Sequence, residues 1–409
     1  MNERLYRTHE FGNGIRLIHQ ENNSEVAHFG LIVNTGTRDE TKEEHGLAHF
    51  MEHMFFKGTH KRSAYQIISR LENVGGEINA YTTKEETAIY ASFLKQDYRR
   101  AVELIQDIFI NSKFSDRERE KEAEVILNEI QSYEDSPGEL IFDHAEELLF
   151  PRHAIGRNIL GSEESLKRFR NGALERFLEE NYPTTEIVLS SIGNIPFEKL
   201  VNLTGKYFSE IPRKERKRNR VLPEAVSGQK IKVARNTFQT HYVMIAEGFS
   251  LHDENRLKLY LLNNILGGPG MNSRLNIALR ERRGYSYSAE SHFAPYVDTG
   301  AQLIYFSCDR GNFSQCLKVT REELKKLRSN LIPDNRLANA RKQMLGQLAI
   351  AYENNEHLML TMGKSYLLFD KVDSLQDIYR KLESISAAEL RDTANQIFRP
   401  ERLNILIYE

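Results

Sequence analysis

HFGLIVNTG, residues 28–36, has an echo in HYVMIAEG, residues 241–248, and that pairing decides how the chain is read. Both are apolar runs closed by glycine, the pattern of a buried strand, and both lead into helical periodicity. A second pair, NYPTTEIVL from Asn181 and RPERLNIL from Arg399, reads as a closing strand near the end of each half. Between them REREKEAEVILNEIQSYED, from Arg117, aligns with NRLANARKQMLGQLAIAYEN, from Asn335, at an offset of 218. That offset carries Glu129 onto Gln347, and His49, Glu52 and His53 onto Gly267, Gly270 and Met271. Two copies of one unit in tandem account for these matches. At roughly 100–200 residues per domain, 409 residues have room for both.

Strands are predicted at 15–19, 29–34, 87–93 and 187–192, with counterparts at 242–246, 302–307 and 403–408. Helical periodicity is clear over 98–111, where Ala101, Val102, Ile105, Ile108 and Phe109 make one stripe, and again over 117–133. The order is α+β rather than strict βαβ alternation, so two homologous tandem α/β domains are expected, each a sheet with helices on one face. The boundary falls in IPRKERKRNRVLPEAVSGQ, residues 211–229. Six of the eight residues from Arg213 to Arg220 are basic, with Pro212 and Pro223 at the flanks. This is read as a solvated basic linker between domains 1–210 and 230–409 rather than a nucleic-acid patch.

Composition narrows the function classes. Hydrophobic residues at 40% and charged ones at 28% mark a globular chain. Lys and Arg number 56 against 58 Asp and Glu, so no net field recruits nucleic acid or an acidic membrane, and neither is expected as a partner. The two cysteines, Cys308 and Cys316, are too few for a disulfide framework or a Cys-rich zinc module and suit a reducing compartment. MNERLYRTHEFGNG lacks the apolar core of a signal peptide, and no run approaches 18 apolar residues. A soluble, cytoplasmic protein is the expectation, although a processed organellar form would look the same.

The chemistry concentrates in HGLAHFMEHMFFKG, residues 45–58, which contains His49-x-x-Glu52-His53. On a helix these three positions share a face, so two imidazoles can bind one zinc while the carboxylate between them reaches the water the metal activates. A catalytic zinc needs a third protein ligand and an open position. The helix predicted at 117–133 offers Glu122 and Glu129, two turns apart and able to face the same partner. Glu129 sits in the apolar stretch VILNEI, where a buried carboxylate would need a metal or a cation to meet. Glu122 would then hold a ligating imidazole by its other nitrogen. Cys308 and Cys316 read as buried apolar residues, and the histidines other than those of the motif as structural or surface ones, with His45 and His153, nearer the motifs, left open.

With these residues in place, the chain resembles the inverzincin peptidases of the pitrilysin family (M16 type), in particular the two-domain subunits that include the mitochondrial processing peptidase. The family pattern is HxxEH and a ligand Glu about 75 residues on; here 75 residues lie between His53 and Glu129. The resemblance continues through GGEINAYTTKEETAIYA (75–91), YEDSP (133–137), HAIGRNILG (153–161) and ILGGPGMNSRLNIALRERRGYSYSA (265–289). It implies one zinc per subunit held by His49, His53 and Glu129, Glu52 as general base toward the zinc-bound water, and Glu122 in support. Domain 1–210 would be catalytic and 230–409 a degenerate copy. Arg280 and Tyr287 would contact substrate and transition state, Tyr285 being the competing assignment for the tyrosine. Substrate would pair as a strand beside Asn79 and Ala80. The activity implied is zinc-dependent endoproteolysis of unfolded peptides or presequences in a closed chamber built by a homodimer, with a catalytically silent structural subunit as the alternative.

Overall fold

The computed structural model describes residues 6–169, 172–216 and 220–409, so residues 217–219 of the expected linker lie outside the described residues. The chain builds two mixed sheets. The first uses β1 (Arg7–Glu10), β2 (Arg16–Glu21), β3 (Val26–Val33), β4 (Glu77–Thr82), β5 (Thr87–Leu94) and β6 (Ile187–Gly193), in the order β1-β2-β6-β3-β5-β4. The second uses β7 (Lys230–Val233), β8 (Thr240–Glu247), β9 (Ser286–Pro295), β10 (Gly300–Cys308) and β11 (Asn404–Tyr408), ordered β7-β11-β8-β10-β9. All seven predicted strands are present. The periodicity left four strands unread, β1, β4, β7 and β9, because all four lie at sheet edges with few buried side chains, so no clear apolar alternation marks them.

Alternation along the central strands of the first sheet divides their side chains between two cores. Leu17, Phe29, Leu31, Ile89, Phe93 and Leu189 face a helical layer containing Leu47, Phe50, Met54, Ala101, Val102, Ile105 and Ile108. The helix Tyr98–Asn111 has the bounds and the stripe that its periodicity predicts. Ile18, Ile32, Val188 and Ile192 point the other way, onto Met359, Met362 and Leu367 of the helix Asn355–Phe369. One helix therefore covers the face opposite the main helical layer. Gly363 permits its close seat: a Cβ there would lie 2.4 Å from Ile32 Cδ1 and 2.8 Å from Ser190 Cβ. The second sheet repeats the device with the helix Pro137–Leu149, whose Ile141, Ala145 and Leu149 pack with Val243, Ile245 and Leu406.

Each covering helix comes from the opposite half of the sequence. One compact unit is drawn from Met1–Ile130, Ile159–Arg220 and Ile350–Ser374, the other from Gln131–Asn158, Val221–Ala349 and Leu375–Glu409.

The duplication is plain in the elements, and one correspondence needs correction. The long helices Asp116–Glu134 and Asp334–Tyr352 have equal length and stand 218 apart, so Glu129 does fall on Gln347. Nearer the strands the spacing is shorter: His28 and His241, inside β3 and β8, stand 213 apart. The helix Arg256–Gly267 follows β8 as the helix Leu47–Met54 follows β3. Gln347 meets Asn264 of that helix at 2.7 Å, as Glu129 meets His49 and His53, so the counterpart of the metal motif lies on the helix Arg256–Gly267 and not in the glycine-rich stretch that a single offset of 218 points to. The glycine-rich stretch instead begins at the C-terminus of the counterpart helix.

The basic run is less solvated than its composition suggests. Arg220 pairs with Asp39 at 2.8 Å and Arg216 approaches the same carboxylate at 3.7 Å, while Glu85 takes Arg38 at 2.6 Å. The Asp39 and Arg38 side chains are almost wholly buried, so these arginines neutralise charge inside the first unit.

Candidate metal centre

The helix Leu47–Met54 presents Leu47, Ala48, Phe50, Met51 and Met54 to the core, fixing which face remains for His49, Glu52 and His53. Its start is anchored by the Glu40 carboxylate, which accepts hydrogen bonds from the Gly46 and Ala48 amides at 2.9 and 2.8 Å. Gly46 has φ 90°, and a Cβ there would come within 2.6 Å of Gly161 Cα. Gly161 thus makes room for the turn into the motif helix.

On that remaining face, buried His49 and half-buried His53 set their rings 4.6 Å apart, centroid to centroid. Glu129 reaches both: its carboxylate oxygens lie 3.9 Å from His49 Nε2 and 3.7 Å from His53 Nε2. One ligand atom from each of the three residues falls within 4.8 Å of the others. His53 Nδ1 meets Glu122 at 2.8 Å, and the other oxygen of Glu122 takes Lys57 Nζ at 2.6 Å. The carboxylate that pays the burial penalty is therefore Glu122, 4% exposed, whereas Glu129 has a side chain 43% exposed. The burial argument for Glu129 fails because, of VILNEI, only Ile126 is fully buried.

The electrostatics suit metal binding. Burial, reinforced by neighbouring His53, pushes the His49 imidazole down to about 4, leaving it neutral with a free lone pair. Burial would also lower His53, but the Glu122 hydrogen bond and charge, with Glu129 and Glu52, overcome it and raise this group. For Glu122, burial acts upward and loses to the hydrogen bonds from His53 and Lys57, so its carboxyl is held below the ordinary range. Burial raises Glu52, against a hydrogen bond to Thr82 on β4. Two imidazoles, one carboxylate and a carboxylate behind one imidazole form a donor set that fits zinc, with a coordination position left over.

Sequence reading missed three supporting residues. Lys57 lies one turn after His53 and was legible from helical spacing, whereas Glu40 and Thr82 reach the helix from a loop and a strand and carry no local signal.

The other predicted residues lie apart from this centre in sequence. Asn79 and Ala80 are on β4, which among the described residues pairs only with β5, leaving its other edge open; Asn79 is exposed. Arg280 belongs to the second unit, in a π-helical segment, Asn276–Glu281, with half-exposed contact to Glu281 at 3.8 Å. Tyr287 is the second residue of the edge strand β9 and is 77% exposed, while Tyr285 packs partly into the core. His19 is a core histidine held by the Ser191 and Ile195 carbonyls, and His153 caps the turn Ala154–Gly156. Cys308 and Cys316 are buried and free.

Comparison with known proteins agrees with this arrangement. Residues 16–163 match the family model described as insulinase (peptidase family M16), and residues 169–344 match the peptidase M16 inactive domain. A Bacillus subtilis protein named "uncharacterized zinc protease YmxG" is 33% identical over 97% of this chain and 96% of its own. The chain belongs to peptidase family M16. A second relative, named an uncharacterized zinc protease, from Streptomyces coelicolor, is 32% identical over 91% of this chain and 82% of its own. The solved structure of a protease from Helicobacter pylori shares the fold of this chain at TM-score 0.91, with 17% identity and 99% of both chains covered. Within this M16 chain, the His/His/Glu cluster lies in the segment matched by the first model and the glycine-rich stretch in that matched by the second. Among the described residues, no helix is long and apolar enough to cross a membrane.

Proposed function

We propose that this chain is a zinc metalloendopeptidase whose catalytic domain is 1–210 and whose degenerate domain, 230–409, supplies substrate contacts. The observation that carries the reading is the convergence of His49, His53 and Glu129 on one point, with Glu122 fixing the second imidazole from behind. Those three would hold one zinc per subunit, supplying the Lewis acidity that lowers the pKa of water and polarises a scissile carbonyl. Glu122 accepts from His53 Nδ1–H and so leaves Nε2 with its lone pair toward Glu129. Glu52, its carboxyl raised by burial, takes the proton of the attacking water and passes it to the leaving amine. Thr82 ties Glu52 to β4, so a peptide joining the open edge of β4 at Asn79 and Ala80 would run beside the proton carrier.

Main-chain pairing of that kind selects extended, unfolded peptides or presequences over folded proteins. Tyr287, well exposed, would steady the oxyanion, and Arg280 would hold substrate. In our reading both complete the site of a second copy, giving a homodimer around a closed chamber. The two buried free thiols suit the cytoplasm as its compartment.

The test is metal analysis of purified protein together with hydrolysis of a quenched fluorescent peptide, with and without chelator. About one zinc per chain and chelator-sensitive cleavage are expected. No zinc and no cleavage after zinc is restored would make this a structural subunit. Sedimentation should show a dimer; an active monomer would remove Arg280 and Tyr287 from the partner's site.

A further inference from the structure

The second unit has a cavity where the first has its metal cluster. It measures about 600 Å³ and is lined by Ile265 and Ala340, among others. Ile265 lies on the helix Arg256–Gly267, the counterpart of the motif helix, and Ala340 corresponds to Glu122 on the long-helix spacing, so the same pair of elements forms its wall. Loss of the acidic side chains has not produced an apolar void. Arg274, Arg282, Arg336 and Lys326 also line it, against the one carboxylate of Glu323.

That carboxylate is already engaged, at 2.6 Å by Lys326 and 3.8 Å by Arg274. Arg282 and Arg336 have no ion pair or side-chain hydrogen bond among the described residues. Arg274 is pulled below the ordinary arginine range by burial, with Glu323 opposing and Arg336 adding to the fall, so two guanidiniums crowd one wall. The wall also contains Ser273, 4% exposed, whose hydroxyl has no hydrogen-bond partner among the described residues. The glycine-rich stretch is drawn to the same wall. Asn272 and Gln343 exchange hydrogen bonds at 3.1 and 3.0 Å, and a Cβ on Gly270 would lie 2.4 Å from the Gln343 amide.

We propose that this cavity is a binding site for an oxyanion group, carboxylate or phosphate, seated between Arg274, Arg282 and Arg336. Planar guanidiniums offer paired N–H donors matched to such groups, and a recess that excludes part of the solvent strengthens each contact. The group could arrive on a free small anion or as the C-terminal carboxylate of a peptide. The proposal concerns binding alone and does not depend on the peptidase reading.

Calorimetric titration of the full-length protein tests it with three probes at matched ionic strength: inorganic phosphate, a short peptide acid, and the same peptide amidated. Binding of phosphate, with acid and amide indistinguishable, assigns the site to a free small anion. Tighter binding of the acid than the amide assigns it to a peptide terminus. In either case the double variant Arg282→Gln/Arg336→Gln should lose about tenfold or more in affinity while keeping its zinc content. These two arginines are exposed and unpaired, so the fold should tolerate the change; the melting temperature without ligand checks that, and Arg336→Gln alone is the fallback. No binding beyond a chloride control, or equal binding by the variant, overturns the proposal.

Discussion

The helices Asp116–Glu134 and Asp334–Tyr352 are duplicates in length and in their place among the elements, and they solve one packing problem with different chemistry. The first sets Glu129 against two histidines and buries Glu122 beside His53 and Lys57. The second sets Gln347 against Asn264, a neutral amide pair at 2.7 Å, and has Ala340 where the first has Glu122. The fold therefore accommodates a neutral polar contact between a long helix and its facing helix where the other unit has a charged one. Burying a carboxylate is costly even when paired, and the second unit shows that the architecture stands without it. The charges in the first unit are kept for what they can hold.

That contrast can be broken most forcefully at Glu52. Glu52→Gln preserves shape and should leave zinc content unchanged while turnover drops by about a thousandfold or more, measured on a quenched peptide. Near-normal turnover would remove Glu52 as the proton carrier. Next in size is Glu122→Gln, which releases the His53 ring from its orienting partner. Zinc affinity by competition with a chelator should fall about 10- to 100-fold, and unaltered affinity would make Glu122 a structural residue only.

A smaller effect separates support of the metal from ordinary burial. Asp107 is also fully buried, but its partners are Arg62, Thr59 and Asn111. Asp107→Asn should cost about 1–3 kcal/mol in chemical denaturation with zinc affinity untouched. Although burial acts upward on Asp107, those hydrogen bonds and the Arg62 charge hold its carboxyl below the ordinary 3.8. Its contribution is therefore complete above about pH 4 and disappears as pH falls through the lower folded-state value. The variant should lose that part of the acid sensitivity; an unchanged pH–stability curve would contradict the assignment.

The smallest expected effect is on the degenerate side. Gln347→Glu should leave the metal at one per chain, because the helix Arg256–Gly267 that faces it carries Asn264 and no histidine. A second bound zinc would show that the second unit lost less than its sequence suggests.

Much of this was legible from sequence because the signals were periodic. Central strands read as apolar runs, Tyr98–Asn111 as a stripe, and His49-x-x-Glu52-His53 as one helical face. Elements whose logic is not local escaped. β1 and β7 lie at edges with few buried side chains, and the Glu40 cap reaches the motif helix from a loop. Arg216 and Arg220 read as solvated because composition cannot show that Asp39 awaits them. Glu129 was chosen for a reason the structure reverses, since the buried carboxylate on that helix is Glu122. A single repeat offset also misplaced the counterpart of the metal motif, since the spacing between halves changes from 213 near the strands to 218 in the long helices.

The exchanged covering helices set an order for synthesis. When β6 leaves the ribosome at Gly193, the first sheet has all its strands, yet its outer face, with Ile18, Ile32, Val188 and Ile192, has no partner until Asn355–Phe369 emerges. At about 5–20 residues per second that interval is on the order of 10–30 s. A nascent chain must carry an open apolar sheet face through that time, so fragments ending between the halves should be sticky and chaperone-bound. Adding the missing segment as a separate peptide should relieve them.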